Sequence, residues 1–193
     1  MTPTRRIDFH RLEPGLSERF DVLCLDTEFT RLPLPKEGIS DWAQQVRVLS
    51  VGVAAISGGA ASTFYVKRRI DRATRLKCTP FVIAEVLPAT DSATADAEAT
   101  TDLEVGTALH RFRDQRQHLT GLPALLAVDW PGDAYLIEAI TGEPLNWLLL
   151  EGVSEIQQAL DRPAPEGWVR HNALHDALMV RGLLRGRMGL AMD

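Results

Sequence analysis

Two carboxylates of this chain, Asp26 and Glu28, follow directly on the apolar segment Val22–Leu25. Residues two apart in a strand point to the same face, so both carboxylates would project together. Two like charges at such a short distance repel each other unless a cation lies between them. The pair therefore indicates a metal site or, on the simpler interpretation, the ordinary acidic end of a strand.

A second acidic motif lies at Asp133, which opens a predicted helix whose Leu136 and Ile137 would anchor it to the core. The simpler interpretation of Asp133 is a helix N-cap, a position at which aspartate is favoured. Asp129, four residues earlier, is a competing candidate, but turn formation before Trp-Pro-Gly accounts for an aspartate there. The sequence favours Asp133 as the functional residue.

A third motif comprises His171 and Asp176. On a helix, residues five apart lie about 140° apart around the axis, so these two side chains would flank a site. Ala173, Ala177 and Val180 form a stripe of small residues that would let the helix lie close to a sheet. Asp176, beside that stripe, is expected to point inward.

Together, the four carboxylates and the histidine describe a cage for hard divalent cations. Oxygen ligands of this kind suit Mg²⁺ or Mn²⁺ and not Zn²⁺. Two such ions about 3.5–4 Å apart can activate a water and stabilise the leaving 3′-oxygen of a phosphodiester. A histidine, whose pKa lies near neutrality, can take the proton from that water. The predicted chemistry is metal-dependent hydrolysis of a phosphodiester bond.

Predicted strands and helices position these motifs. Apolar, β-branched runs bounded by turn residues predict strands at Asp21–Asp26, Val46–Ile56, Ser62–Lys67, Leu122–Val128 and Asn146–Leu150. Periodic apolar residues predict helices at Pro80–Leu87 (stopped by Pro88), Asp102–Gln117 (with Asp102 as its cap), Asp133–Ile140, Ser154–Leu160 and Asn172–Gly186. Residues 89–101 are small, polar and acidic, and predict a flexible loop. This order predicts one α/β domain over residues 1–193, with an antiparallel leading part and parallel strands behind it.

The composition is that of a single globular domain. The chain has 193 residues, of which 45% are hydrophobic and 24% charged, unlike a disordered or fibrous protein. No run of about eighteen apolar residues occurs, so no membrane partner is expected. No apolar stretch follows the basic pair near the start of the chain, so the cytosol is the expected compartment. Cys24 and Cys78 lack the spacing of a zinc site or a disulfide framework, and Cys24, inside an apolar run, is expected to be a buried thiol.

Basic residues are concentrated in two short stretches although the net charge is −5. A net negative charge argues against a protein that coats nucleic acid through its overall field, but not against an enzyme that grips a strand locally. The first stretch is either a solvated loop or a surface that binds phosphates. It comprises Lys67, Arg68, Arg69, Arg72, Arg75 and Lys77, and the second comprises Arg181, Arg185 and Arg187.

Three motifs resemble those of the DEDDh 3′→5′ exonucleases of the ribonuclease H-like superfamily, over roughly residues 20–188. LDTEF matches the first motif, GDAYLI the second and HNALHD the third. Pro131 and Gly132 stand where the second motif usually has Asn and an aromatic residue. His175, beside Asp176, is interpreted as a bystander. The opening strands and the Val-Leu-Pro ending at Pro88 are most similar to a compact bacterial exoribonuclease subfamily.

The resemblance implies a mixed five-stranded sheet with helices on both faces. Asp26, Glu28, Asp133 and Asp176 would hold two Mg²⁺ or Mn²⁺ ions, with His171 as the general base. The implied function is a 3′→5′ exoribonuclease that acts on single-stranded RNA. A 3′→5′ DNA exonuclease of the proofreading or repair type is the first alternative, and a non-catalytic nucleic-acid-binding module is the second. Single-domain enzymes of this type often dimerise, so a homodimer is a further expectation.

The resemblance also implies contacts with the terminal nucleotide. The backbone of Thr27 would meet the 3′ end, and Phe29 would stack on a base unless it is a core aromatic. Trp42 and Trp130 are further candidates for stacking, for which burial is the simpler interpretation.

Overall fold

A mixed six-stranded sheet forms the centre of the protein. The computed structural model describes residues 15–59, 61–150, 153–160 and 165–190. The strands are β1 (Asp21–Phe29), β2 (Val48–Ala55), β3 (Thr63–Arg68), β4 (Ala97–Ala99), β5 (Ala124–Val128) and β6 (Trp147–Leu149). They lie in the order β4-β3-β2-β1-β5-β6. β2 pairs antiparallel with β1 and β3, and the other neighbouring strands are parallel.

Eight α-helices connect these strands within the part of the chain that the structure describes. They are α1 (Leu16–Arg19), α2 (Ile39–Gln45), α3 (Arg72–Arg75), α4 (Leu87–Thr90), α5 (Asp102–Thr120), α6 (Pro131–Thr141), α7 (Ser154–Leu160) and α8 (Ala173–Arg187). One stretch of π-helix, Val82–Val86, leads directly into α4.

The sheet is covered on both faces because its strands direct alternate apolar side chains to opposite sides. Leu23 and Leu25 of β1 face a core that includes side chains from α2, α5 and α6. Val22 and Cys24 face a second core, with side chains from α1, α7 and α8. The predicted α/β architecture with helices on both faces is confirmed, and Cys24 is a buried free thiol as expected.

The predicted number of strands was wrong by one, since the sheet has six and not five. The additional strand is β4, which lies within residues 89–101, where the sequence predicted only a loop. Asp96 ties this segment to Tyr65 of β3: its N–H donates to the carbonyl of Tyr65, and its carboxylate accepts from the N–H of Tyr65, both at 2.8 Å. An edge strand that pairs through backbone atoms needs no apolar pattern, so composition could not reveal it.

Two predicted helix boundaries were also wrong. Pro88 does not end a helix, because it lies in the first turn of α4, where a missing N–H costs no intrahelical hydrogen bond. Thr101, and not Asp102, caps α5: its hydroxyl accepts from the N–H of Glu104, whose side chain reaches back in a capping box.

None of the described helices is both long and apolar enough to cross a membrane.

The topology brings three chain segments to one edge of the sheet. β1 and β5 are parallel neighbours, so their carboxyl ends reach the same edge, where α6 begins after β5. The helix α8 packs across β2 and β1 from the second face. The three acidic motifs lie on these segments.

Candidate metal centre

The first motif lies at the end of the central strand β1. Asp26 and Glu28 are half-buried. Leu25, which precedes Asp26, and Thr27, which lies between the two acids, are buried. Asp26 pairs in register with Gly52 of β2, and Glu28 with Ser50. The two carboxylates therefore share one face of the strand, as their spacing predicted.

The second motif is held against β1 by a side-chain hydrogen bond. Asp133 lies in the first turn of α6 and is buried, and its Oδ1 accepts from the hydroxyl of Thr27. The N-cap of α6 is Trp130, so Asp133 does not cap the helix. Thr27 thus positions a carboxylate through its side chain, while the proposed contact of its backbone with a 3′ end stays a prediction.

The third motif depends on Asn172, which caps α8. Its Oδ1 accepts from the N–H of His175 at 3.3 Å, and its Nδ2 donates to the carbonyl of Ala89 at 2.9 Å. Asn172 is completely buried. Because one amide serves both the helix cap and a neighbouring segment, the start of α8 is tied to the end of α4.

A glycine lets the start of α8 approach the sheet. A Cβ at Gly52 of β2 would overlap the backbone of Ala173 and Leu174, so only a residue without a side chain fits there. Ala173 and Ala177 are completely buried, as the predicted small-residue stripe requires. This close approach brings Asp176 beside the carboxylates of β1.

Carboxylate oxygens from these segments form two groups that share Asp26. In one group, oxygens of Asp26, Glu28 and Asp176 all lie within 4.8 Å of one another. In the other, the same holds for Asp26, Asp129 and Asp133. Asp26 Oδ2 is a buried atom without a hydrogen-bond partner. A hard divalent cation fits both observations, because it would supply the missing partner and offset the repulsion.

Burial and mutual repulsion raise the pKa values of the acids on β1. Burial raises the pKa of Asp26, and the carboxylates of Asp133 and Asp176 raise it further. Burial likewise raises the pKa of Glu28 to about 8, with a contribution from Asp176, while Arg170 opposes the shift. Such shifts are typical of carboxylates gathered at a functional site.

The acids of the other two motifs are shifted in the same direction. Burial is the largest cause of the raised pKa of Asp133, and Asp129 adds to it. Burial also raises the pKa of Asp129 and of Asp176. Arg170 has the largest opposing effect on the pKa of Asp176. Its Nη1 donates to Asp176 Oδ1 at 2.8 Å.

His171 lines the same cleft but does not lie on α8. The helix begins at Ala173, and His171 has a left-handed backbone, with φ of 59°. The predicted arrangement of His171 and Asp176 about one helix axis was therefore wrong, because the cap at Asn172 separates them. The ring of His171 contacts Phe81 edge to face, with centroids 5.2 Å apart.

The neighbouring histidine is engaged elsewhere. Nδ1 of His175 accepts from the N–H of Val169 at 2.9 Å, and its ring stacks on Trp168 with centroids 5.7 Å apart. His175 is not among the side chains that line the cleft. This geometry agrees with its interpretation as a bystander.

We call the space between these acids the acidic cleft, with a volume of about 200 Å³. Its charged and titratable lining comprises Asp26, Glu28, Asp129, Asp133, Arg170, His171 and Asp176. The structure thus brings together all five residues proposed as catalytic from the sequence. It also places Asp129 and Arg170 in the cleft. The sequence favoured Asp133 over Asp129, and the only sequence signal for Arg170 is its position next to His171.

A second, mainly apolar cleft of about 350 Å³ adjoins the acidic cleft and shares Glu28, Phe29 and His171 with it. Its remaining lining is Leu32, Thr79, Phe81, Val82 and Val86, and we call it the apolar cleft. Leu32 and Phe81 are 66% and 54% exposed, so their apolar surface faces solvent. Sequence reasoning missed Phe81, because an aromatic residue in a short helix gives no functional signal.

Phe29 belongs both to this cleft and to an aromatic cluster. Its ring lies 5.0 Å from that of Trp42 and 5.4 Å from that of Trp130. Trp42 is completely buried, as expected, and Trp130 is half-buried. The packing fixes the orientation of Phe29 while part of its ring remains accessible from the cleft.

Comparison with known proteins supports the fold. No family model matches the sequence, and no curated protein matches it. Among solved structures, the RNase domain of the yeast Pop2 protein is similar, with a TM-score of 0.52 and 12% sequence identity. The match covers 91% of this chain and 80% of that one. The fold is of the ribonuclease H-like type, while the expected closeness to bacterial exoribonucleases stays a prediction.

Proposed function

We propose that the protein is a metal-dependent 3′→5′ exonuclease that removes nucleotides from single-stranded nucleic acid, with RNA preferred over DNA. The observation that carries this proposal is that carboxylates form two clusters of three, with Asp26 a member of both. Acids from β1, α6 and α8, and from the turn that precedes α6, are costly to bring together unless cations bind between them. The likeness of the fold to a solved RNase domain is consistent with it.

The two carboxylate clusters indicate which acids would bind each metal ion. Asp26, Glu28 and Asp176 would hold one Mg²⁺ or Mn²⁺ ion, and Asp26 and Asp133 would hold the other. When bound, such ions lower the pKa of a water and stabilise the leaving 3′-oxygen of a phosphodiester. His171, which lines both clefts, would accept the proton of the attacking water.

The apolar cleft would hold the base of the terminal nucleotide. Phe29 and Phe81 offer aromatic surface on which any base can stack, and Leu32 adds apolar contact. Stacking does not depend on base identity, so little sequence preference is expected at the 3′ end. The cytosol is the compartment in which we expect this activity.

A ladder assay tests the proposal. RNA labelled at its 5′ end is incubated with Mn²⁺, and the products are resolved by length. Stepwise shortening from the 3′ end is expected, and EDTA or Asp26→Asn, which keeps the shape but removes a charge, should abolish it. Internal cleavage, or shortening unchanged by Asp26→Asn, would contradict the proposal.

Matched RNA and DNA substrates decide the substrate class. Faster shortening of RNA is expected, and a contact with the 2′-hydroxyl would be its physical basis. Faster shortening of DNA would instead favour an exonuclease of the proofreading or repair type. Binding of either strand without release of mononucleotides would indicate a non-catalytic module.

A further inference from the structure

Residues 69–77, which we call the basic segment, carry a concentrated positive charge in a protein of net charge −5. Arg69, Arg72, Arg75 and Lys77 are all exposed. None of the four has an ion pair with another residue that the structure describes. The one acid of the segment, Asp71, is used to cap α3, because its carboxylate accepts from the N–H of Thr74 at 2.6 Å.

Other basic residues near this segment are neutralised. Lys67 lies 2.9 Å from Asp91, and Arg68 lies 2.6 Å from Asp102. The pairing of Lys67 and Arg68 contrasts with the unpaired cations that follow them. The positive charge of the basic segment is therefore available to a bound anion.

The second basic stretch of the sequence does not form a comparable surface. Arg185 is buried, and its Nη1 donates to the carbonyl of Ile56 at 2.7 Å. Arg187 is paired with Glu155. Two of the three arginines of this stretch are therefore engaged within the protein, and the basic segment is the stronger candidate for an anion-binding surface.

The basic segment leads directly to the candidate active site. Lys77 is followed by Cys78 and then by Thr79, which lines the apolar cleft with Phe81. The N–H of Thr79 donates to the carbonyl of Thr30 at 3.1 Å, so the end of the segment is fixed beside the end of β1. Two residues span at most about 7 Å of backbone, which places the backbone of Lys77 next to the cleft.

A further cleft of about 310 Å³ runs beside the start of the segment, lined in part by Arg69 and Arg75. Its wall also includes Asp91 and Glu98, which share the single ammonium group of Lys67. The lining carries four basic side chains against two carboxylates, so the net charge of the groove is positive. A chain of phosphates is the complement of such a groove.

We propose that the basic segment binds the phosphodiester backbone of the strand upstream of the terminal nucleotide. This inference rests on the proposed function, in which the 3′ end lies in the acidic and apolar clefts. A strand held in this way would lie across the phosphate-binding cations before its last base reaches Phe81. Affinity would then depend on strand length and on salt, and not on base sequence.

Binding and cleavage of two substrate lengths test the inference. The variant Arg72→Gln/Arg75→Gln/Lys77→Gln is compared with the unmodified protein on a dinucleotide and on a twelve-nucleotide RNA. Affinity for the longer RNA is measured by fluorescence anisotropy in Ca²⁺, and kcat/KM for both substrates in Mn²⁺. We expect at least about tenfold weaker binding of the longer RNA and a salt slope less steep by about 2, since each single-strand phosphate contact contributes about 0.7. Cleavage of the dinucleotide should be unchanged.

Matched controls separate the surface from general effects of charge. Arg75→Gln is compared with Arg111→Gln, which removes an exposed arginine of α5 outside the segment. All these side chains are exposed, so the melting temperature should stay the same. Unchanged binding of the longer RNA, or equal losses for both substrates, would overturn the inference. Loss of the proposed function would be seen separately, as absence of cleavage by the unmodified protein.

Discussion

Arg170 donates from Nη1 to Asp176 Oδ1 at 2.8 Å. Among the described residues, Arg170 is the one arginine or lysine that lines the acidic cleft. Its guanidinium also opposes the raised pKa of Glu28 and of Asp129. It therefore supplies part of the positive charge that the clustered acids require, and it would share Asp176 with any ion bound there.

Removing this charge should strengthen the binding of divalent ions. Arg170→Gln is expected to lower the Kd for Mn²⁺ by about tenfold, because one unit charge within several ångströms of a half-exposed site is worth on the order of 1 kcal/mol or more. Titration followed by the electron paramagnetic resonance of free Mn²⁺ measures this directly. Arg170→Lys keeps the charge and should bind Mn²⁺ as the unmodified protein does. Weaker binding by Arg170→Gln would show that Arg170 orients a ligand and does not compete with the ion.

The raised pKa of Glu28 makes the stability of the metal-free protein depend on pH. Its pKa is about 8 in the folded protein, against an ordinary glutamate value of about 4.3 in the unfolded chain. The folded state thus holds a proton that the unfolded state has released, and stability falls as pH rises between these two values. In EDTA, the melting temperature should be lower at about pH 8 than at about pH 5.5, and Mg²⁺ or Mn²⁺ should restore it most at the higher pH.

Glu28→Gln provides the control for this prediction. Glutamine carries no charge, so the decline of the melting temperature with pH in EDTA should become shallower. Parallel declines in the two proteins would contradict the assignment, because the titrating group would then lie elsewhere.

Sequence reasoning predicted the acids of the site better than the contacts that position them. The spacing of Asp26 and Glu28 was informative because side chains alternate along a strand. In contrast, the choice of Asp133 over Asp129 assumed one acid per motif, whereas the short turn after β5 directs both into the cleft. The hydrogen bond from Thr27 to Asp133 joins residues 106 positions apart and has no local pattern.

The small-residue stripe of α8 was predicted, but the residue opposite it was not. Gly52 lies inside a mainly apolar strand, and the crossing of α8 explains it. The same applies to β4, whose pairing depends on backbone atoms of β3. Features that depend on a distant segment were therefore missed, whereas periodic features within one element were predicted.

Gly52→Ala tests whether the close approach of α8 holds Asp176 in place. The added methyl group would overlap the backbone at Ala173, so α8 must shift, and overpacking of this kind typically costs about 1–3 kcal/mol. We expect a lower melting temperature and weaker Mn²⁺ binding. Gly186→Ala is the matched control, since a Cβ there meets nothing within 4 Å and alanine favours the helix by roughly 0.5–1 kcal/mol. A Gly52→Ala protein as stable as the unmodified one would show that the helix is free to move.

His171→Ala should separate catalysis from metal binding. A positioned general base contributes roughly 10²–10⁴-fold to turnover, so kcat should fall by that factor while the Kd for Mn²⁺ changes little. His175→Ala is the matched control, because its ring stacks on Trp168 outside the cleft. An unchanged rate for His171→Ala together with a large loss for His175→Ala would reverse the two roles.

Asp129 provides the sharpest test of the two-ion arrangement. Its carboxylate forms one cluster with those of Asp26 and Asp133. We therefore expect it to help hold the ion that Glu28 and Asp176 would not bind. Asp129→Asn and Asp133→Asn should each bind one Mn²⁺ with nearly normal affinity and the second markedly more weakly, as read from a titration that counts bound ions. Asp114→Asn, on an exposed position of α5, should bind both ions normally. If Asp129→Asn also binds both ions normally while Asp133→Asn loses one, Asp129 only shapes the turn before α6, as its place before Trp-Pro-Gly first indicated.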